Sequence, residues 1–396
     1  MIQSQAQSVR SSRHRGVVFI YSMVMMAVLI GLCSLAVDFG HIQIVNIQLQ
    51  RAADAAAMAG AQQLPNGNAA VNAAALAVAQ DNSVDTSETA KVPVPIDPSL
   101  VTVQYINWVS PTNYHVVANA SSANAVSVTI KYNTPMMCAC VLGFQSHTSV
   151  RTTIAQRVIQ SATQYVSTNS NPWLAGEPLG TQGSEPDSNW DGQKVNHEHP
   201  WQYDIAGPNG EENSDGEPYE SPVQVGITVT PGSIITISQV SGQGNNDFTQ
   251  SAQYDATGTS NGYQANYDDE ASNGVAEHGI ADATMPLNSL NAVFLGATAP
   301  DKNTPPATLD FSTQSERDYT SGSNNNEAAV SGQFTPKTQQ VFYVGNGLTS
   351  KGTQETIVVP QGATRMFLGT MDGHEWSNNE GGFTATVSET YVEIVK

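Results

Sequence analysis

At 396 residues the chain has room for two domains outside any membrane segment, at about 100 to 200 residues each. Its formal charge of −20 is uneven: residues 1–170 carry 8 Lys plus Arg against 6 Asp plus Glu, whereas residues 171–396 carry 7 against 29. The acidic, polar distal half argues against nucleic acid as a partner, which needs clustered Lys and Arg, and suits divalent cations or neutral ligands such as sugars.

The first predicted element is Val17 to Val37, 21 residues without a formal charge. At roughly 1.5 Å per residue this makes about 31 Å of helix, the thickness of a bilayer core. Arg10, Arg13 and Arg15 precede the run and Asp38 follows it, so the positive-inside rule keeps residues 1–16 cytoplasmic and places everything beyond outside. A cleaved signal peptide would share the basic start, with Ser34-Leu35-Ala36 offering small residues to a peptidase, but this run exceeds the usual apolar region of about 7 to 15 residues. Leu32 before Cys33 disfavours a lipid anchor there.

The helix continues beyond Asp38. Ile42, Val45, Leu49, Ala52, Ala56 and Ala59 recur at spacings of three and four, forming one stripe that ends near Pro65-Asn66-Gly67. This stripe suits either packing within the chain or pairing with a neighbouring subunit. A second, alanine-rich helix over Ala69 to Gln80, with Asn68 as its N-cap, would return against the first.

The order of Arg15-Gly16, an apolar span, Val37-Asp38-Phe39-Gly40 and Leu49-Gln50-Arg51-Ala52-Ala53-Asp54-Ala55-Ala56-Ala57-Met58-Ala59-Gly60-Ala61 resembles the N-terminal region of TadG-like proteins of the tight-adherence (Tad, or Flp) pilus-assembly system. The resemblance covers about the first 65 residues and singles out Gly16, Asp38, Gly40, Asp54 and Gly60. It implies a bacterial inner-membrane protein, single-pass, with other Tad components as partners. Prepilins of the related TadE and TadF type are cut after such a Gly and carry Glu five residues into the mature helix; here that position is Tyr21. The expectation is therefore an uncleaved N-terminus, contradicted if mass spectrometry finds Val17 as the first residue.

Residues 82–100 read as a loop, with Pro93, Pro95 and Pro98 keeping the segment extended. Alternating residues predict strands over Val101 to Val109, Ala125 to Tyr132 and Thr148 to Ile159. The apolar stretch between the last two, TPMMCACVLGF, is too short to span a bilayer and predicts a small helix on the sheet, with Cys138 and Cys140 as small buried thiols. Residues 168–220 are polar with spaced aromatics (Trp173, Trp190, Trp201, Tyr203, Tyr219), a linker into an irregular, packed start of the next domain.

From Ser221 the pattern is all-β. Val223 to Val229 alternates, Pro231-Gly232 turns and Ile234 to Ile237 resumes; later strands are predicted at Ala292 to Gly296, Gln340 to Val344, Thr356 to Val359, Arg365 to Leu368 and Phe383 to Val387. Such short strands indicate a β-sandwich. The predicted domains are a cytoplasmic segment (1–16), a transmembrane helix (17–37), a helical stalk (38–81), a small α+β domain (82–167), an irregular segment (168–220) and a β-sandwich (221–396).

Pro360 to Gly369, Asp372-Gly373 and Asn378-Asn379-Glu380-Gly381-Gly382-Phe383 resemble the C-terminal half of the PA-I type calcium-dependent galactose-binding lectins. Upstream, Thr230 to Ile237 and His278 through Gly296 follow that family's order of segments. Independently of the name, Asp372, Asn378 and Asn379 place three oxygen-bearing side chains in one eight-residue turn, and Ca²⁺ takes about 6 to 8 such ligands. The resemblance adds a main-chain carbonyl near Trp376, another from about Gln243 to Asp247, and a sugar bridged through the ion at Asp372 and Asn379. This chain is one residue shorter than the lectins between the Asp and the Asn pair, and Ser260 to Asn273 holds no secure counterpart of their sugar-contacting His and Gln. The same residues also suit an ordinary hairpin turn.

Catalytic motifs are poor. Gly258-Thr259-Ser260-Asn261-Gly262 lacks the strand and helix that a nucleophile elbow requires, and His197-Glu198-His199 is a lone pair in a polar loop. The expected role is structural or adhesive rather than enzymatic. A tethered carbohydrate-binding receptor without a pilus role is the alternative.

Overall fold

The computed structural model describes residues 13–86, 93–178, 221–246, 252–260, 263–264, 267–269, 276, 278–320, 332–372, 376 and 379–395. By contacts the chain divides into two units, 1–158 with 392–396, and 159–391.

The first unit is built on α1 (Arg13–Gln62), one continuous helix of 50 residues, about 75 Å long at 1.5 Å per residue. Span and stalk are thus a single rod. From Val17 to Val37 its large apolar side chains are all exposed, Tyr21 at 67% and Leu35 at 47%. The hydroxyls of Ser22 and Ser34 donate to the carbonyls of Val18 and Ile30, each at 2.8 Å, so they do not need water. Among the described residues this is the one helix long and apolar enough to cross a membrane.

Beyond Asp38 the rod becomes amphipathic. Val45, Leu49, Ala52, Ala53, Ala56, Ala57 and Ala61 are fully buried. This face is wider than the expected stripe, and Ile42 and Ala59 are only half-buried, because it covers two partners at once. One is α2 (Gly67–Asp81), which folds back after a 3₁₀ turn over Leu64–Asn66 and buries Val71, Ala75 and Ala79. The other is the sheet, through Val126, Val128 and Ile130. Packing within the chain, not a subunit seam, accounts for the stripe from Val45 to Ala61.

The strands of this unit are β1 (Ser83–Thr86), β2 (Pro93–Pro95), β3 (Val101–Ser110), β4 (Asn113–Val117), β5 (Ala125–Pro135) and β6 (Ser146–Ser167), with the division between the units falling within β6. The main sheet runs β4-β3-β5-β6, antiparallel throughout. Its second face covers a small cluster of Ile106, Trp108, Ala125 and Ile154, with Trp108 stacked on Tyr114 at 5.3 Å. TPMMCACVLGF forms a 3₁₀ turn over Ala139–Leu142 rather than a helix packed on the sheet, and the Cys140 thiol is exposed rather than buried. Asn68 does not cap α2: it lies inside the helix, and its Oδ1 accepts the Ala120 N–H at 2.7 Å.

The second unit is almost entirely β. In chain order it adds β7 (Val223–Gln224), β8 (Ile234–Asn245), β9 (Thr259–Ser260), β10 (Tyr263–Gln264), β11 (Tyr267–Asp269), β12 (Ala283–Pro286), β13 (Leu290–Leu295), β14 (Leu309–Asp310), β15 (Gln333–Phe334), β16 (Val341–Tyr343), β17 (Thr356–Val358), β18 (Arg365–Thr370) and β19 (Glu380–Ile394). One sheet has the order β16-β13-β18-β7 and another β15-β17-β8-β19-β6, and both contribute to one apolar core. That core contains Phe294, Phe342 and Phe383, and also Trp173 and Ala175 from the stretch read as linker. The Trp173 indole N–H donates to the Ala281 carbonyl at 3.1 Å and its ring lies 5.7 Å from that of Trp376. Trp190, Trp201, Tyr203, Tyr219 and the His197-Glu198-His199 motif lie outside the described residues.

Candidate functional site

Three of the residues singled out on α1, Asp38, Asp54 and Gly60, meet the strands and the loop between them at successive levels. At the first, immediately beyond the apolar span, the buried Asp38 carboxylate accepts the backbone N–H groups of Met137 (2.8 Å), Cys138 (3.1 Å) and Ala139 (2.6 Å). These donors open the 3₁₀ turn, where backbone N–H groups have no partner within the turn. Burial pushes the Asp38 carboxyl up, but the three N–H groups and nearby His41 outweigh it and hold the pKa below the ordinary carboxylate value.

At the second level Asp54 Oδ1 accepts the Thr153 hydroxyl of β6 at 2.6 Å and the Gln50 amide at 2.7 Å, and Gln50 also reaches Thr153 Oγ1 at 2.9 Å. At the third, Gly60 lies where α1 touches both partners. A Cβ there would come within 3.2 Å of Val126 Cγ1, 3.4 Å of Ala75 Cβ and 3.5 Å of Val71 Cγ1. By contrast a Cβ at Gly40 would meet nothing within 4 Å. Gly16 lies in the first turn of α1.

The geometry closes on itself. From Asp38 to Gly60 is 22 residues, about 33 Å of helix. The sheet contacts run back along β5 from its end at Pro135 to Val126, nine residues and about 30 Å of strand. Helix and strand therefore lie alongside in opposite directions. Sequence reasoning missed Met137, Cys138, Ala139 and Thr153 as partners; Gln50, one helical turn before Asp54, was the one local signal available.

In the second unit the candidate calcium residues gather around Thr370–Asp372. Asp372 is buried, as are Trp376 and Asn379, while Asn378 lies outside the described residues. The Asn379 amide donates to the Thr168 carbonyl at 2.8 Å, which also accepts the Thr370 hydroxyl at 2.7 Å. Asn288 donates its backbone N–H to Met371 at 2.8 Å and its amide to Asn246 Oδ1 at 3.2 Å, which brings the expected Gln243 to Asp247 segment to the same place. Asn288 Oδ1 and Asn379 Oδ1 are buried and accept no hydrogen bond, the chemistry of oxygens that suit a hard cation. The Trp376 carbonyl differs: it accepts Asn169 Nδ2 at 2.7 Å and the Asn379 N–H at 3.2 Å, so its oxygen is engaged within the fold. Among the described residues no three His, Cys, Asp or Glu side chains form a metal-holding group. Of Ser260 to Asn273, where the lectins' sugar-contacting His and Gln have no secure counterpart, residues 261–262, 265–266 and 270–273 lie outside the described residues, Asn261 and Gly262 of the G-x-S-x-G motif among them.

Comparison with known proteins bears on the first unit. Residues 16–63 match a family model described as Flp pilus-assembly TadE/G-like, and residues 59–155 match a second described as Tad-like Flp pilus-assembly. No curated protein and no solved structure matches the chain. The long apolar helix is thus similar to TadE/G-like proteins of Flp pilus assembly, and the sheet bound along it to a Tad-like Flp pilus-assembly family.

Proposed function

We propose that the chain is a single-pass protein of the Tad (Flp) pilus-assembly system in the bacterial inner membrane, with residues 1–16 cytoplasmic, 17–37 in the bilayer and everything beyond outside. The observation that carries this reading is that the two family matches join along one construction: Asp38, Asp54 and Gly60 of the helix are the points at which it holds the loop between β5 and β6, β6 itself and β5. A helix rigidly joined to a folded unit at the membrane edge suits a structural scaffold rather than an enzyme, with other Tad components as its partners.

The distal unit has an adhesive role in this reading, contacting glycans or envelope proteins through its acidic surface. Asp372, Asn379 and Asn288 would hold Ca²⁺ and the ion would supply a bridge to vicinal sugar hydroxyls. The buried Asn288 and Asn379 oxygens favour this. In-cell crosslinking of the full-length protein in its native host tests the assembly role: capture of Tad secretion components supports it, and a protein that captures none of them points to the tethered-receptor alternative.

A further inference from the structure

We propose that the loop Met136–Phe144 is a membrane-contact foot, resting in the outer headgroup interface of the bilayer that α1 crosses. The proposal rests on the reading of Val17 to Val37 as the span. Its anchor is Asp38, the first residue beyond that span, whose carboxylate holds the loop by three backbone N–H groups. Because each helical residue rises about 1.5 Å, the loop is fixed within one turn of the point where the helix leaves the hydrocarbon.

The side chains presented at this level fit such a surface. Phe144 is 64% exposed and Met137 48% exposed, and Phe39 on the adjoining helix is 63% exposed. An aromatic and a thioether in water at this height have no use in a soluble face, whereas the interface accepts both. The loop is also closed and pre-shaped: Met136 N–H donates to the Gln145 carbonyl at 3.0 Å, Phe144 N–H to Ala139 at 3.2 Å, and Gly143 makes the turn with φ +93°. Insertion therefore costs little ordering.

Charge points the same way. Between Asp97 and Glu177 the chain has no Asp or Glu, while Lys131, His147 and Arg151 lie on the strands that lead into the loop. Basic side chains within about a Debye length of anionic headgroups are attracted to them, whichever leaflet carries those headgroups. The opposite end of the sheet is the natural control: Val116 is 57% exposed and pairs with Ile106, which pairs with Ala125 at the far end of β5, about 30 Å from the loop by strand length.

The test is depth-dependent quenching of single added tryptophans in the full chain, reconstituted in phosphatidylcholine–phosphatidylglycerol vesicles, with the wild-type signal subtracted. The variants are Met26→Trp, Phe144→Trp and Val116→Trp. The proposal expects Phe144→Trp emission to be lost to lipids brominated near the headgroup and protected from aqueous acrylamide, while Val116→Trp behaves oppositely. Phe144→Trp behaving like Val116→Trp, with Met26→Trp quenched by lipids brominated near the bilayer centre, overturns the foot and leaves the span intact. Met26→Trp unquenched by any brominated lipid overturns the span and the foot together.

Discussion

Gly60 offers the sharpest perturbation of the helix–sheet junction. At an open position inside a helix, Gly→Ala stabilises by roughly 0.8 to 1 kcal/mol. Gly40 is such a position, so Gly40→Ala should gain about that much helix stability. At Gly60 the new methyl would stand 3.2 Å from Val126 Cγ1, inside the usual optimum of about 3.5 to 4.0 Å between carbons. Yielding by a few tenths of an ångström consumes the propensity gain, and Gly60→Ala should come out near neutral. Gly60→Val adds two further methyls toward Val126, Ala75 and Val71, and overpacking of this kind costs about 1 to 3 kcal/mol. The assay is amide hydrogen exchange of residues 45–61 and 71–79 in the full chain in detergent. Protection should rise for Gly40→Ala, hold for Gly60→Ala and fall by about 5- to 150-fold for Gly60→Val, and the double variant Gly60→Ala/Val126→Ala should relieve the methyl contact. Equal gains from Gly40→Ala and Gly60→Ala, or unchanged protection in Gly60→Val, would refute the close approach.

Asp38→Asn should speed amide exchange at Met137, Cys138 and Ala139 while leaving Thr153 protected. Because the Asp38 carboxyl is held below its ordinary pKa, the contact should be complete above the ordinary carboxylate range and weaken as pH falls through the lowered value; exchange at those amides that ignores acid contradicts this. Glu355 in the distal unit behaves in the reverse sense. Its burial, with Asp318 nearby, pushes its carboxyl up to about 9, so the folded state keeps a proton that the unfolded chain releases. Stability should therefore fall as pH rises from about 4.5 to about 9, at up to about 1.4 kcal/mol per pH unit. Glu355→Gln should raise the distal unit's Tm at pH 8 and not at pH 4, and a Tm gain equal at both pH values would argue against a buried neutral acid. Millimolar Ca²⁺ should raise the same Tm, followed by near-UV circular dichroism, and Asp372→Ala should remove the shift; no shift in the wild type would mark the Asp372 to Asn379 segment as a plain turn.

What the sequence made legible follows from how local each signal is. The apolar run needed no partner to be read, and the alternation in Val101 to Val109 and Ala125 to Tyr132 announces β3 and β5 because each strand has one face on the helices. β4 was missed: Asn113–Val117 is an exposed edge strand and carries no buried face to alternate against. The spacing of Val45, Leu49, Ala52 and Ala56 gave the centre of the buried stripe but not its width, since a helix covering both α2 and β5 also buries Ala53, Ala57 and Ala61. Asn68 looked like a cap from its neighbours alone, yet Ala120, 52 residues away, claims its side chain. The Asp38 contacts lie 99 to 101 residues away and go to backbone N–H groups, which leave no trace in residue identity. Trp173 belongs to the spaced aromatics that mark the polar stretch as packed, and its ring joins the distal core; what composition does not reveal is which strands receive it.

Piliation reads the assembly role directly. Electron microscopy of the native host should show Flp pili lost on deletion of this gene, restored by the wild-type chain and not by Gly60→Val expressed at equal level. Pili unchanged in the deletion strain would contradict a role in their assembly.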